Sequence, residues 1–386
     1  VVFITPNSPS RSRNTTMSLV VEGTEWSGKY HPKTVAHSLP SQSIDENIPL
    51  PAKVHYVSPA GELSKKFTVL ISSPYVVTAF NRFKPVFERL NINAIIPNVK
   101  ERLSEEMLIE YAGKIDGTIC GNDRYTEKVI KAMSPRLKAI CKWGTGIDSI
   151  DQEAAKQYGV EVRNIPNGLS VPVSDSVFGY ILSFARRQKE MDQMMKSGIW
   201  KKIPAQALRE CTLGIVGCGN IGKHVVLRAA AFGMRILVTD PKEIDKDFLT
   251  KYSAIQVSLD TLLAESDYVT LHCDLNPSSR YLINETTLSQ MKPSAVLINA
   301  ARGPVVKEIA IVAALQNGTI RGAALDTHEN EPLPIDSPLL KLNNVMLAPH
   351  NASNSPVTWE NVHWIAIKNV CEILKIPIRL SIHSNL

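Results

Sequence analysis

Residues 213–222, Leu-Gly-Ile-Val-Gly-Cys-Gly-Asn-Ile-Gly, constrain this chain more than any other stretch. The apolar run Leu213–Val216 reads as a buried parallel strand that delivers the backbone into Gly217, Gly219 and Gly222. The segment that follows, from Lys223 to Phe232, reads as a helix. In a strand–turn–helix of this kind the first glycine allows the tight turn and the second lets backbone amides approach an anion. The third lets helix and strand pack closely. Free N–H groups and a partial positive charge at the helix start favour a phosphate there. A second strand, Arg235–Thr239, ends at Asp240, 18 residues after Gly222 and close to the spacing of about 20 expected for an acid that takes ribose hydroxyls. A glycine-rich turn that binds nothing would leave Asp240 without a reason. The pattern predicts a dinucleotide site. A carboxylate at Asp240 accepts from both ribose hydroxyls of NAD and repels a 2′-phosphate, so NAD is favoured. Lys242 nearby softens that repulsion and leaves mixed NAD/NADP use open.

At 386 residues, with 44% hydrophobic and 21% charged residues, the chain suits two globular domains, each with its own core. The formal charge of +6 is mild. Its basic pairs (Arg11/Arg13, Lys65-Lys66, Arg186-Arg187, Lys201-Lys202) are short, scattered and without interleaved aromatics, which argues against nucleic acid. A basic cleft for an anionic substrate and cofactor accounts for them. The six cysteines (Cys120, Cys141, Cys211, Cys218, Cys273, Cys371) form no CxxC or CxxH group. They read as reduced core residues of a cytoplasmic protein, with no metal site. No apolar run approaches the roughly 20 residues that span a bilayer. Residues 1–64 show little periodicity and read as a flexible extension, with a native start expected at Met17 and some strand around 53–57.

From Lys66 strands and helices alternate. Strands are expected at 67–72, 94–96, 117–120, 137–142 and 160–164, and helices at 80–90, 104–111, 126–133 and 151–158. A hinge at 164–172 then leads into one long amphipathic helix, Val173–Lys196, whose apolar face suits subunit contacts in a homodimer. The nucleotide domain follows, with strands at 213–216, 235–239, 268–272, 295–299, 322–326 and 345–347. A last helix at 357–374 crosses back to the first domain. This is a doubly wound α/β pattern.

Three segments place polar residues where strands end. Arg302 follows 295–299, Asp326 ends 322–326 with Glu331 five residues on, and His350 follows 345–347. In open α/β sheets the carboxyl ends of strands line the ligand crevice, so Arg302, Glu331 and His350 are expected to converge there. Glu329 is a rival for Glu331, and His272 and His328 are rivals for His350.

Over about residues 66–375 the chain resembles the D-2-hydroxyacid dehydrogenases, the family of phosphoglycerate, glycerate and D-lactate dehydrogenases. The resemblance rests on Gly217-Cys-Gly-Asn-Ile-Gly, Leu271-His-Cys, Asn299-Ala-Ala-Arg-Gly, Ala324-Leu-Asp with Glu331-Pro, and Pro349-His. The segment from Lys142 to Asp151 resembles the family's substrate loop. The likeness implies two Rossmann-like doubly wound domains, with an NAD-binding domain at 166–350 inserted into a flavodoxin-like substrate domain of 65–165 and 351–386. It implies an NAD-dependent oxidoreductase that interconverts a D-2-hydroxy acid and its 2-oxo acid. Arg302 would hold the substrate carboxylate through its planar fork. His350 would give and take the proton of the keto oxygen, and Glu331 would fix the imidazole tautomer. Trp143, Gly144, Thr145 and Gly146 would complete the substrate cradle. On the cofactor side the resemblance adds Asn220, Ile221, Cys273, Ala300, Ala301, Asp326 and Thr145, with Arg302 and His350 reaching it as well.

Departures narrow the substrate. Trp143 is bulky where phosphoglycerate enzymes carry a small residue, and Cys120 stands where they carry a basic one, leaving Arg124 and Lys142 as available cations. Asp274, Asn351-Ala352 and the 171–176 segment also differ from the usual pattern. Glycerate-, glyoxylate- and lactate-type substrates therefore stand beside phosphoglycerate. The alternative reading is an NAD(H)-sensing corepressor on the same fold. A formate dehydrogenase is disfavoured because Glu331 stands where that group uses an amide.

Overall fold

Strands that are apolar on both faces can be satisfied only between two layers of helices, and this sequence builds two such sheets. The computed structural model describes residues 55–57 and 66–381. The expected extension over 1–64 and the Met17 start lie outside the described residues, apart from His55–Val57. That segment, β1, pairs antiparallel with a C-terminal strand (β14, Arg379–Ser381) that the sequence pattern did not show.

The first sheet contains β2 (Phe67–Ile71), β3 (Ile92–Ile95), β4 (Gly117–Cys120), β5 (Ala139–Lys142) and β6 (Glu161–Arg163). All are parallel, in the order β3-β2-β4-β5-β6. This is the flavodoxin-like arrangement, with its order reversing between β2 and β4. The second sheet contains β7 (Thr212–Val216), β8 (Arg235–Thr239), β9 (Ala254–Gln256), β10 (Tyr268–Leu271), β11 (Val296–Asn299), β12 (Gly322–Leu325) and β13 (Val345–Leu347). It is also parallel, in the order β13-β12-β11-β10-β7-β8-β9, and reverses between β7 and β10. The expected fold class is thus found. β9 was missed because three edge residues carry almost no periodic signal.

Side chains alternate across each sheet. Val69 and Ile71 join one cluster while Leu70 joins another on the opposite face. In the second sheet Ile236 and Val238 face one core and Leu237 the other. Burying each such side chain contributes about 1.5–3 kcal/mol. The helix Pro356–Ile373 carries the chain back to the first sheet, where Val370 packs over Gly117 of β4 and, with Val362 and Ile367, joins the cluster that holds Val69 and Ile71.

The long helix expected over Val173–Lys196 is instead two, Ser170–Ala185 and Gln188–Lys196. The first buries Val173, Val177, Phe178, Ile181 and Ala185, whereas the second buries nothing. Arg187 between them adopts a left-handed conformation (φ 52°, ψ 39°), which no α-helix passes through. Its guanidinium pairs with Glu190 at 2.6 Å and so stabilises the start of the second helix.

Candidate active site

The glycine loop joins β7 to the helix Asn220–Ala231. Gly217 has φ 92°, a conformation that favours glycine, and a methyl group at Gly222 would collide with the Gly217 carbonyl. A side chain at Gly219 would instead enter open space, and no side chain caps the helix that starts there. A pyrophosphate fits such a cradle: the approach is clear and the first amides are uncapped. Asp240 accepts from Cys218 N–H and Lys242 N–H, both at 2.9 Å, which brings its carboxylate to the mouth of the loop. Asn220 is exposed, Ile221 partly so, and Cys273 lies beside Gly217. Burial pushes the Cys273 thiol up to about 11, leaving it neutral.

Three neighbouring strand ends assemble the polar cluster. After β11, the Asn299 side chain accepts from Ala301 N–H (3.1 Å) and donates to the Arg302 carbonyl (3.0 Å), which fixes the turn carrying Arg302. Gly303 then lies so close to the His328 carbonyl that any side chain there would overlap it. The His328 N–H donates to Glu331 Oε1 at 3.1 Å, and Glu331 Oε2 meets His350 Nδ1 at 3.0 Å. The carboxylate accepts from Nδ1–H, which leaves Nε2 without a hydrogen-bond partner among the described residues. Burial alone would raise the Glu331 pKa, but the hydrogen bond and charge of His350 outweigh it and hold the carboxyl below its usual range. His350 has φ 53°, a strained conformation for a residue with a side chain, held by its N–H on the Asp326 carbonyl at 2.7 Å. The buried Asp326 carboxylate accepts from Tyr180 O–H (3.1 Å), Asn351 N–H (2.9 Å) and Ala352 N–H (3.0 Å), tying the linking helix to the histidine loop. Burial and this carboxylate both raise the Tyr180 pKa.

The rivals face elsewhere. Glu329 accepts from Glu308 N–H at 2.8 Å. His328 sets Nε2 against the Ala348 carbonyl at 3.0 Å, and His272 sets Nε2 against Thr270 Oγ1 at 2.9 Å. Burial pushes His272 down to about 3.

Across the crevice, the loop after β5 supplies Gly144, Thr145 and Gly146. Thr145 O–H donates to the Ile165 carbonyl at 3.1 Å, while Asn164 holds the Thr145 carbonyl at 2.5 Å. Arg302 reaches this loop: Nε donates to Asp148 Oδ1 at 3.0 Å, and Nη2 lies over Gly146. The structure therefore sets Arg302 against Gly146 and Asp148, and Glu331 against His350, on the ends of neighbouring strands. Asp148 and Tyr180 were missed; the Asp two residues beyond Gly146 was the available signal for the first, and the second had none.

Two expectations need correction. The sequence places Trp143 on the substrate, but the residue is 4% exposed and its Nε1–H donates to His363 Nδ1 at 2.8 Å. Tyr75, unremarked in the sequence, stacks over it with ring centroids 4.3 Å apart. The sequence leaves Lys142 as an available cation, but it is buried and its ammonium donates to the Gly121 carbonyl and Asn122 Oδ1. Burial pushes its pKa down to about 8.

Among the described residues no helix is long and apolar enough to cross a membrane, and no group of His, Cys, Asp or Glu could hold a metal ion. All six cysteines are unpaired.

Residues 178–352 match the family described as "D-isomer specific 2-hydroxyacid dehydrogenase, NAD binding domain". The chain is 38% identical over 274 residues to a glyoxylate reductase of Korarchaeum cryptofilum, covering 69% of this chain and 82% of that one. It is 38% identical over 250 residues to glyoxylate/hydroxypyruvate reductase B of Yersinia pestis, covering 63% and 76%. Among solved structures, it resembles a D-lactate dehydrogenase of Aquifex aeolicus complexed with NAD and lactic acid (TM-score 0.72, 28% identity, 80% and 95% covered). It also resembles a glyoxylate reductase of Paecilomyes thermophila (TM-score 0.72, 26% identity, 83% and 99% covered).

Proposed function

Because the chain belongs to the D-isomer-specific 2-hydroxyacid dehydrogenase family, and is an NAD-dependent oxidoreductase that interconverts 2-hydroxy and 2-oxo acids, we propose that Arg302, Glu331 and His350 are its catalytic residues and that short 2-oxo acids of the glyoxylate and hydroxypyruvate type are its substrates. The observation that carries this reading is the 3.0 Å His350–Glu331 pair on the strand ends that also present Arg302 to Gly146. The NAD(H)-sensing corepressor alternative is not supported, since the relatives above are reductases and dehydrogenases.

Gly217, Gly219, Asn220, Ile221, Gly222 and Asp240 would hold the pyrophosphate and adenosine half of NAD. Thr145, Cys273 and Ala300–Arg302 would line the nicotinamide half. For Asp326 we favour a positioning role, because Tyr180, Asn351 and Ala352 already donate to its carboxylate. When bound, the nicotinamide supplies or accepts the hydride. Arg302 grips the substrate carboxylate against the 144–146 loop, in a geometry a lysine does not reproduce. His350 Nε2, left free by the Nδ1 bond to Glu331, donates a proton to the keto oxygen in reduction and removes it in oxidation. Glu331 holds the ring and balances the charge of the protonated imidazole.

The proposal includes a substrate-side unit of 65–165 with 351–386, an NAD-side unit of 166–350, and a cytoplasmic homodimer. Dimerisation is supported by Met195, Ile199 and Trp200, which are 53%, 49% and 83% exposed along and beyond the helix Gln188–Lys196. The test is NADH oxidation with a panel of 2-oxo acids. Turnover of glyoxylate or hydroxypyruvate supports the reading, and no turnover of any panel member overturns it.

A further inference from the structure

Half-buried Tyr75 stacks on Trp143, the residue that leads into the 144–146 loop. Resting on the function proposed above, we infer that Tyr75 is the specificity-determining residue for the substrate side chain. Backed by Trp143 and Trp359, it forms an aromatic shelf that seats an apolar, flat C3 substituent, so that aryl 2-oxo acids fit better than acids with an anionic C3 group.

Tyr75 lies in the first turn of the helix Pro74–Arg89, directly beyond the end of β2. The order of the first sheet reverses between β2 and β4, and ligands of open α/β sheets bind outside the strand ends at such a point. Tyr75 stacks on Trp143 at 4.3 Å with 21° between planes, and packs against Trp359 at 4.8 Å. Trp143 is itself held edge-on to Trp359 at 6.0 Å and by its bond to His363. A ring supported this way offers a flat apolar surface at little entropic cost. Trp143 also directly precedes Gly144, so a substrate whose carboxylate lies between Arg302 and the 144–146 loop brings its next carbons toward the shelf.

Burial raises the Tyr75 pKa, and the carboxylates of Glu101, Glu331 and Asp326 raise it further. These acids come from loops of both sheets, as expected for a residue standing between them. The shelf is thus neutral and has acids around it. Lys142, the cation next to the loop, turns its ammonium to Gly121 and Asn122. An anionic substituent therefore meets repulsion from Glu101 and gains nothing from Lys142.

The test uses the full-length protein with NADH and four probes: glyoxylate, which has no C3, pyruvate, phenylpyruvate and oxaloacetate. The wild type is expected to favour phenylpyruvate over oxaloacetate in kcat/KM. In Tyr75→Ala the phenylpyruvate-to-glyoxylate ratio of kcat/KM should fall about tenfold, the scale of one lost aromatic contact. Tyr75→Phe should keep that ratio within about twofold because the ring, not the hydroxyl, is the shelf. Tyr75→Leu, which keeps bulk but not flatness, should fall between them and serves if the alanine variant does not fold. A ratio that stays constant in Tyr75→Ala or Tyr75→Leu, whatever the overall loss, overturns the inference. So does a wild type that prefers oxaloacetate. A wild type that turns over none of the four overturns the proposed function itself, a result read before any variant is made.

Discussion

The guanidinium of Arg302 lies across Gly146 so closely that a single methyl group at position 146 would overlap Nη2. The two residues come from different sheets, Arg302 from beyond β11 and Gly146 from beyond β5. A residue without a side chain is what allows the cation to reach the opposing loop, where a carboxylate can be held between guanidinium and backbone.

Gly146→Ala should therefore displace Arg302 without touching the glycine loop after β7. We expect kcat/KM for a 2-oxo acid to fall about 10–100-fold, mainly through KM. NADH affinity, read by fluorescence titration, should change by less than about twofold. Kinetics equal to wild type would show that the Arg302–Gly146 contact has no part in substrate binding.

His363 makes stability depend on pH. It is buried, and burial, with the charge of Arg82, pushes its pKa down to about 3 from an ordinary 6.5. The folded protein keeps the ring neutral while the unfolded chain takes up a proton. The stability it contributes is complete above 6.5 and is lost progressively as pH falls toward about 3. The slope in that window is at most about 1.4 kcal/mol per pH unit. His363→Gln keeps an acceptor for the Trp143 indole and removes the titration, so its urea midpoint should fall less than that of wild type on acidification. Equal slopes would contradict this.

Asp240 serves two neighbours at once, the backbone of the glycine loop and that of Lys242. Asp240→Ala should weaken NAD about tenfold or more and narrow the preference over NADP, because the like charge facing a 2′-phosphate is gone. Asp240→Asn, which keeps an acceptor oxygen, should lose the discrimination but less of the affinity. An unchanged ratio of NAD to NADP dissociation constants in both variants would rule Asp240 out as the selector.

Much of this was legible in the sequence because the signals were local. The run from Leu213 to Gly222 is strand, turn and helix start in adjacent residues, and the structure places each there. The positions of Arg302, Asp326 and His350 were readable because each stands within three residues after a strand of the second sheet. What failed depended on contacts between distant residues. Nothing local to Trp143 announces that Tyr75 covers it and that His363, 220 residues on, takes its N–H. Lys142 looked free because its acceptors, Gly121 and Asn122, lie on another strand end. The break at Arg187 escaped because the helical pattern runs through it. It falls where a buried face gives way to an exposed one.

The most direct test of the catalytic assignment is steady-state NADH oxidation by His350→Ala with glyoxylate, alongside fluorescence titration of NADH. We expect kcat to fall by about 10²–10⁴, the usual contribution of a positioned acid–base group, while NADH affinity stays within about threefold of wild type. Turnover within about tenfold of wild type would contradict the assignment.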